Sequence, residues 1–105
     1  MKKTDEHDLG PIHPGEFLME MLDELGITAY ALAKAIGKAP IQVSRILSGK
    51  SSVTADMARL IAEALNTSPE LWLNLQAMYD LERSRLRTPV LRVKAIVRND
   101  EHAQN

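Results

Sequence analysis

"IGKAPIQVSRILSGK", residues 36–50, sets a glycine and, three positions later, a proline between two short stretches with helical apolar spacing. Gly37 supplies the left-handed residue that ends one helix, and Pro40 sits at or next to the first position of the next, where its missing N–H costs nothing. Val43, Ile46 and Leu47 then form an inward stripe until Ser48 and Gly49 stop it. The segment therefore reads as two short helices joined by the turn Gly37, Lys38, Ala39, which is the pattern of a helix-turn-helix. If Val43, Ile46 and Leu47 face inward, a rotation of about 100° per residue leaves Pro40, Ile41, Gln42, Ser44, Arg45 and Ser48 wholly or partly outward.

In a helix-turn-helix the second helix lies in the major groove of DNA, and the outward side chains suit that place. Arginine can donate two hydrogen bonds to guanine, glutamine can pair with adenine, and an apolar group such as Ile41 can touch a thymine methyl, each interaction discriminating by roughly 1–3 kcal/mol. Lys38 in the turn, Lys50 just past the second helix, and the N–H groups that open the first helix near Thr28 are placed to hold phosphates. Lys34, Lys38, Arg45 and Lys50 make a local basic cluster in a chain whose formal net charge is only −1. Any attraction for nucleic acid must therefore be local rather than global. The pattern by itself also fits an ordinary helical bundle whose Gln, Ser and Arg are simply solvated.

The flanks extend the helical reading. Phe17, Leu18, Met21, Leu22 and Leu25 repeat at helical spacing from Pro14 to Gly26. Thr28 caps the next helix, whose inward face is Tyr30 or Ala29, then Leu32, Ala33 and Ile36. Thr54 caps a fourth helix with Met57, Leu60, Ile61, Ala64 and Leu65 inward, ending at Asn66. Ser68 and Pro69 open a fifth that runs to about Arg85. Its apolar residues, from Leu71 and Trp72 to Tyr79 and Leu81, cover more than one stripe, so one face cannot bury them all. Trp72, Leu75 and Tyr79 are candidates for the core, although a helix apolar over so much of its girth usually has a second partner. The 105 residues divide into a flexible arm at 1–12, one helical domain at 13–87 and a weakly structured tail at 88–105. In that tail "VLRVKAIV" is rich enough in β-branched residues to form a short strand.

Composition narrows the function classes. With no cysteine there is neither a disulfide nor a thiolate metal site, which is compatible with a cytoplasmic protein. No apolar run approaches the roughly 18 residues of a membrane span, and the N-terminus lacks the apolar stretch of a secretory signal. The histidines are His7, His13 and His102, and no metal-protease, phosphate-loop or serine-elbow motif accompanies them. The expectation is a protein that is not an enzyme and holds no metal or cofactor, with His13 serving to start a helix.

Residues 13–85, and above all "HPGEFL" (13–18), "LSGK" (47–50) and "ALNTSPELWLNLQAMYDL" (64–81), resemble the HigA antitoxins, also called virulence-associated protein I, within the Xre or Cro/C1 helix-turn-helix group. The resemblance implies an all-α fold, a five-helix lambda-repressor-like DNA-binding domain. It also implies a homodimer, with Trp72, Leu75 and Tyr79 of the fifth helix as interface candidates, that binds a palindromic operator in its own promoter and neutralises a HigB-like toxin, a RelE-type ribonuclease that cuts messenger RNA. By position, Ala39, Pro40, Ile41, Gln42, Ser44 and Arg45 become the base-reading set, with Pro40 and Ile41 replacing polar residues common in the wider group. Two alternatives stay open on the sequence: a stand-alone regulator of the same fold without a toxin, and a helical module that binds protein and no DNA.

Overall fold

The computed structural model describes residues 10–97. Five α-helices follow one another: α1 (Pro14–Leu25), α2 (Ala29–Ile36), α3 (Pro40–Leu47), α4 (Ala55–Leu65) and α5 (Pro69–Arg87). Short-range chemistry sets their ends. The hydroxyls of Thr28, Thr54 and Ser68 accept from the backbone N–H groups of Ala31, Met57 and Leu71 at 3.0, 3.2 and 3.2 Å, each satisfying an otherwise orphaned donor for about 1 kcal/mol. Proline occupies the first position of α1, α3 and α5. The turn from α2 to α3 needs a positive φ, and Gly37 supplies it at 72°.

The core gathers around Trp72, the largest of the fully buried side chains. Leu18 and Leu22 of α1, Leu32 and Ala33 of α2, Val43 and Ile46 of α3, and Ile61 of α4 join it. The Trp72 indole N–H donates to the Thr67 hydroxyl at 2.8 Å, so the ring is buried without stranding a polar atom. Packing places α4 against both α2 and α5, and α1 against α3 and α5.

That double packing corrects the expected inner face of α4. Ala64 is exposed and Leu60 and Leu65 are half-buried, whereas Ala58 and Ala62 lie fully inside. Small residues on that side let α4 approach its neighbours closely. In α2 the choice between Tyr30 and Ala29 falls to Ala29, which packs on the core while Tyr30 is exposed. Phe17 and Leu25 of α1 are likewise more exposed than their spacing suggests, although Phe17 rests on Trp72 with ring centroids 5.6 Å apart.

The strand expected in the tail does not form among the described residues. Residues 88–97 run without ladder hydrogen bonds, and Val93 and Ile96 are largely exposed. A segment this short has no neighbouring strand in an all-helical chain to satisfy its backbone. The arm expected at 1–12 lies outside the described residues apart from Gly10, Pro11 and Ile12.

Candidate nucleic-acid interface

The helix-turn-helix is α2, the turn at Gly37–Ala39, and α3. Its second helix is anchored from behind by Val43 and Ile46, both buried, and by α1. There Gly15 lies so close to the last turn of α3 that a Cβ built on it would stand 1.9 Å from the Ile46 carbonyl oxygen. The outer face carries Ala39, Pro40, Ile41, Gln42, Ser44 and Arg45, every one of them exposed. The set named from the sequence thus falls on one continuous surface.

Two of its polar members are already oriented. Arg45 donates from Nε to the Ser51 hydroxyl at 3.2 Å, which holds the stem and leaves the two terminal nitrogens of the fork free for a planar acceptor pair such as a guanine edge. Gln42 reaches back so that its Oε1 accepts from the Ala39 backbone N–H at 3.3 Å. It thereby closes one half of a capping box; the other half, a side-chain acceptor at the N-cap, is missing because residue 39 is alanine. Its amide NH2 is left as the outward donor, and pairing bidentately with adenine would require releasing the Ala39 bond. Ile41 stands 62% exposed at the start of the helix, an apolar group presented to solvent.

The phosphate candidates flank this face. Thr28 is the N-cap of α2, and its oxygen is engaged by Ala31, so only its hydroxyl proton remains to donate. Lys38 is exposed in the turn, and Lys50 is exposed in the loop after α3.

Three residues that the sequence reading missed hold this surface in place. Gln76 of α5 is buried, accepts from the Val53 N–H at 2.7 Å and donates to Asp80 at 3.0 Å, tying α5 to the loop that follows α3. Its position four residues after Trp72 on the same face was the available signal. Ser51 orients Arg45, and Gly15 admits the close approach of α1.

His13 begins a helix as expected, but does so from the interior. Its Nδ1 accepts from the Gly15 N–H at 2.8 Å and its ring meets Tyr79 edge-on at 4.8 Å. Burial pushes its pKa below the ordinary 6.5, with the Ser51 backbone oxygen, Glu16 and Asp80 acting the other way. A lowered pKa means that the unfolded chain takes up a proton before the folded one does. Stability is therefore full above about 6.5 and falls as the pH drops from there toward the folded value. The expected result is a urea midpoint that declines between pH 7.5 and 5 more steeply in the parent than in His13→Asn, which keeps a capping oxygen without titrating. Parallel curves would contradict it.

Of the site candidates on α5, Trp72 is withdrawn from any interface. It is 0% exposed, beneath Phe17 and bonded to Thr67, and cannot reach a second chain while the domain is folded. Leu75 and Tyr79 are half-buried. The apolar groups that α5 does present outward are Leu73, Met78, Leu81 and Leu86. Among the described residues no His, Cys, Asp and Glu side chains gather as a metal site, and no helix is long and apolar enough to cross a membrane. His7 and His102 lie outside the described residues.

Two short helices joined by the turn Gly37–Ala39, the second of the pair (α3) carrying the exposed face, define a helix-turn-helix protein, and residues 18–72 match the family model described as helix-turn-helix. The chain is 41% identical over 88 residues to antitoxin HigA-1 of Vibrio cholerae, covering 83% of this chain and 80% of that protein. It is 36% identical over 84 residues to the uncharacterized HTH-type transcriptional regulator YddM of Escherichia coli K12, covering 80% and 89%. Among solved structures, the Pseudomonas aeruginosa antitoxin HigA with the higBA promoter superposes with a TM-score of 0.76 at 32% identity, over 83% of this chain and 99% of that one. The chain belongs to the HigA antitoxin family of Xre-type helix-turn-helix proteins.

Proposed function

We propose that this protein is a sequence-specific DNA-binding antitoxin in which residues 13–87 form the binding unit, α3 reads an operator in its own promoter, and the partner it neutralises is a HigB-like ribonuclease toxin. The observation that carries the DNA half is the outer face of α3: six exposed residues, one of them an arginine whose fork is pre-oriented by Ser51. The likeness to a HigA bound at the higBA promoter supports the same assignment. Ala39, Pro40, Ile41, Gln42, Ser44 and Arg45 read bases, while Thr28, Lys38 and Lys50 hold phosphates.

Binding as a homodimer would set two α3 helices about 34 Å apart, one turn of DNA, and make the operator palindromic. Its interface would use the outward apolar side of α5, with Leu75 and Tyr79 at its edge. Two modules are needed because one with so little net charge gains little from long-range attraction. Arg45→Ala is expected to weaken operator binding about 5- to 150-fold, the equivalent of one bidentate base pairing, and to flatten the preference at the base pair it reads. Operator affinity and selectivity equal to the parent's would remove Arg45 from the reading set.

The likeness to YddM favours a second reading, a regulator with no toxin. Coexpression with the product of the adjacent reading frame separates the two. Relief of that product's growth arrest supports the antitoxin, and a neighbour that arrests nothing and binds nothing supports the regulator.

A further inference from the structure

Beside α3, but not on its reading face, a cleft of about 390 Å³ opens between the loop Gly49–Ser52 and the C-terminal half of α5, with His13 and Tyr79 in its wall. Lys50, Arg83 and Arg87 line it, against the single carboxylate of Asp80. Asp80 is occupied in accepting from Gln76. Among the described residues the only ion pair is Glu82 with Arg85 at 3.8 Å, so no carboxylate there neutralises any of the three cations in the cleft. In a chain of net charge −1 this is a local concentration of positive charge that packing of the fold does not require.

Arg83 is held ready. Its Nη1 donates to the Tyr79 hydroxyl at 3.1 Å and its guanidinium lies 5.6 Å from the Tyr79 ring centroid, while Tyr79 is itself braced by His13. A fixed, planar, always-charged fork beside a lysine and serine hydroxyls is chemistry for phosphate oxygens. The cleft also adjoins the reading surface. Ser51 and Ser52 line both this cleft and the groove that contains Gln42 and Arg45, so they form the ridge between the two.

We propose that this cleft extends the operator's phosphate contacts from Lys50 onto α5, where Arg83 and Arg87 take backbone phosphates of the DNA whose bases α3 reads. This rests on the operator-binding reading above and adds α5 to the DNA-facing surface. A backbone passing the Ser51–Ser52 ridge leaves Arg45 on its base side and meets Arg83 and Arg87 on the other. The interaction is with phosphodiester, so it strengthens binding without choosing sequence.

The test compares the salt dependence of operator affinity in the parent, the double variant Arg83→Ala/Arg87→Ala, and Arg85→Ala. The last removes the same kind of charge from the same helix but outside the cleft and from an existing ion pair. All three positions are solvent-accessible, and thermal melts establish that each variant is folded. Removing one arginine–phosphate interaction lowers the slope of log affinity against log salt by about 0.9. The double variant should therefore have a slope shallower by about one to two, and its deficit relative to the parent should shrink about three- to fourfold for each phosphate between 50 and 200 mM salt. Its ratio of operator to scrambled-duplex affinity should be unchanged, as should the slope of Arg85→Ala.

If the parent binds its operator selectively and the double variant keeps the parent's slope, the cleft does not touch DNA and the operator reading stands. If the parent itself shows no preference for the operator, both fall. Inorganic phosphate titrated into the free protein should not saturate the Ser51 and Ser52 amide signals below millimolar concentration. Saturation well below that would assign the cleft to a free anion and overturn the proposal.

Discussion

Trp72→Ala is expected to remove about 3–5 kcal/mol of stability, the range for deleting a buried tryptophan. Trp72 is the largest side chain lying wholly within the core and belongs to the cluster that packs behind α3. Small domains hold only about 5–15 kcal/mol in total, and each 1 kcal/mol moves the melting point of a domain this size by about 4–8 °C. A fall of at least about 12 °C should follow. Trp72→Phe should cost less, because it keeps most of the buried volume and gives up chiefly the bond to Thr67. Met78→Ala, on the exposed side of the same helix, should leave the melting point within a few degrees. Melts of the three variants by circular dichroism decide the matter. A Trp72→Ala protein that kept its melting point but no longer self-associated would return Trp72 to an interface.

Gly15→Ala is expected to do the opposite of what helix propensity alone suggests. Alanine is favoured over glycine inside a helix by about 1 kcal/mol, and Gly15 sits in the first turn of α1. Yet the added carbon would stand 1.9 Å from the Ile46 carbonyl oxygen and 2.8 Å from its carbon. Both are backbone atoms that cannot swing aside like the end of a side chain. Either α1 or the last turn of α3 must shift. The expected net loss is about 1–3 kcal/mol, as for other overpacked sites. Because the displaced backbone belongs to α3, the proposed reading helix, operator affinity should fall as well, although residue 15 is buried away from the outer face. Urea midpoints and DNA titrations on the same preparation test both parts. A midpoint equal to or above the parent's would show that α1 and α3 do not approach so closely.

Gly15 also marks the limit of what could be read from the sequence. Caps, breaks and starts are written within four residues of where they act: Thr28, Thr54 and Ser68 bond the N–H three positions on, and Pro40 follows Gly37 directly across the turn. The helix order and the outer face of α3 were therefore legible without a structure. What was not legible depends on residues far apart in the chain. The Gln76 bond to Val53 spans 23 residues. The inner face of α4 rotated toward Ala58 and Ala62 because two helices, not one, press on it. Trp72 and Tyr79 lie on the same side of α5, but only the tertiary fold puts one beneath Phe17 and the other beside His13. The β-branched residues after Pro89 had strand propensity and no partner strand to realise it.

The central claim, that the outer face of α3 reads an operator, is tested most directly by fluorescence-anisotropy titration of the purified protein. The labelled duplex comes from its own upstream region, a scrambled duplex serves as control, and each is measured at two salt concentrations. The expected result is selective binding to the upstream duplex that persists at the higher salt, with two protomers per site. Equal affinity for both duplexes that disappears together at higher salt, or no binding to either, would contradict it.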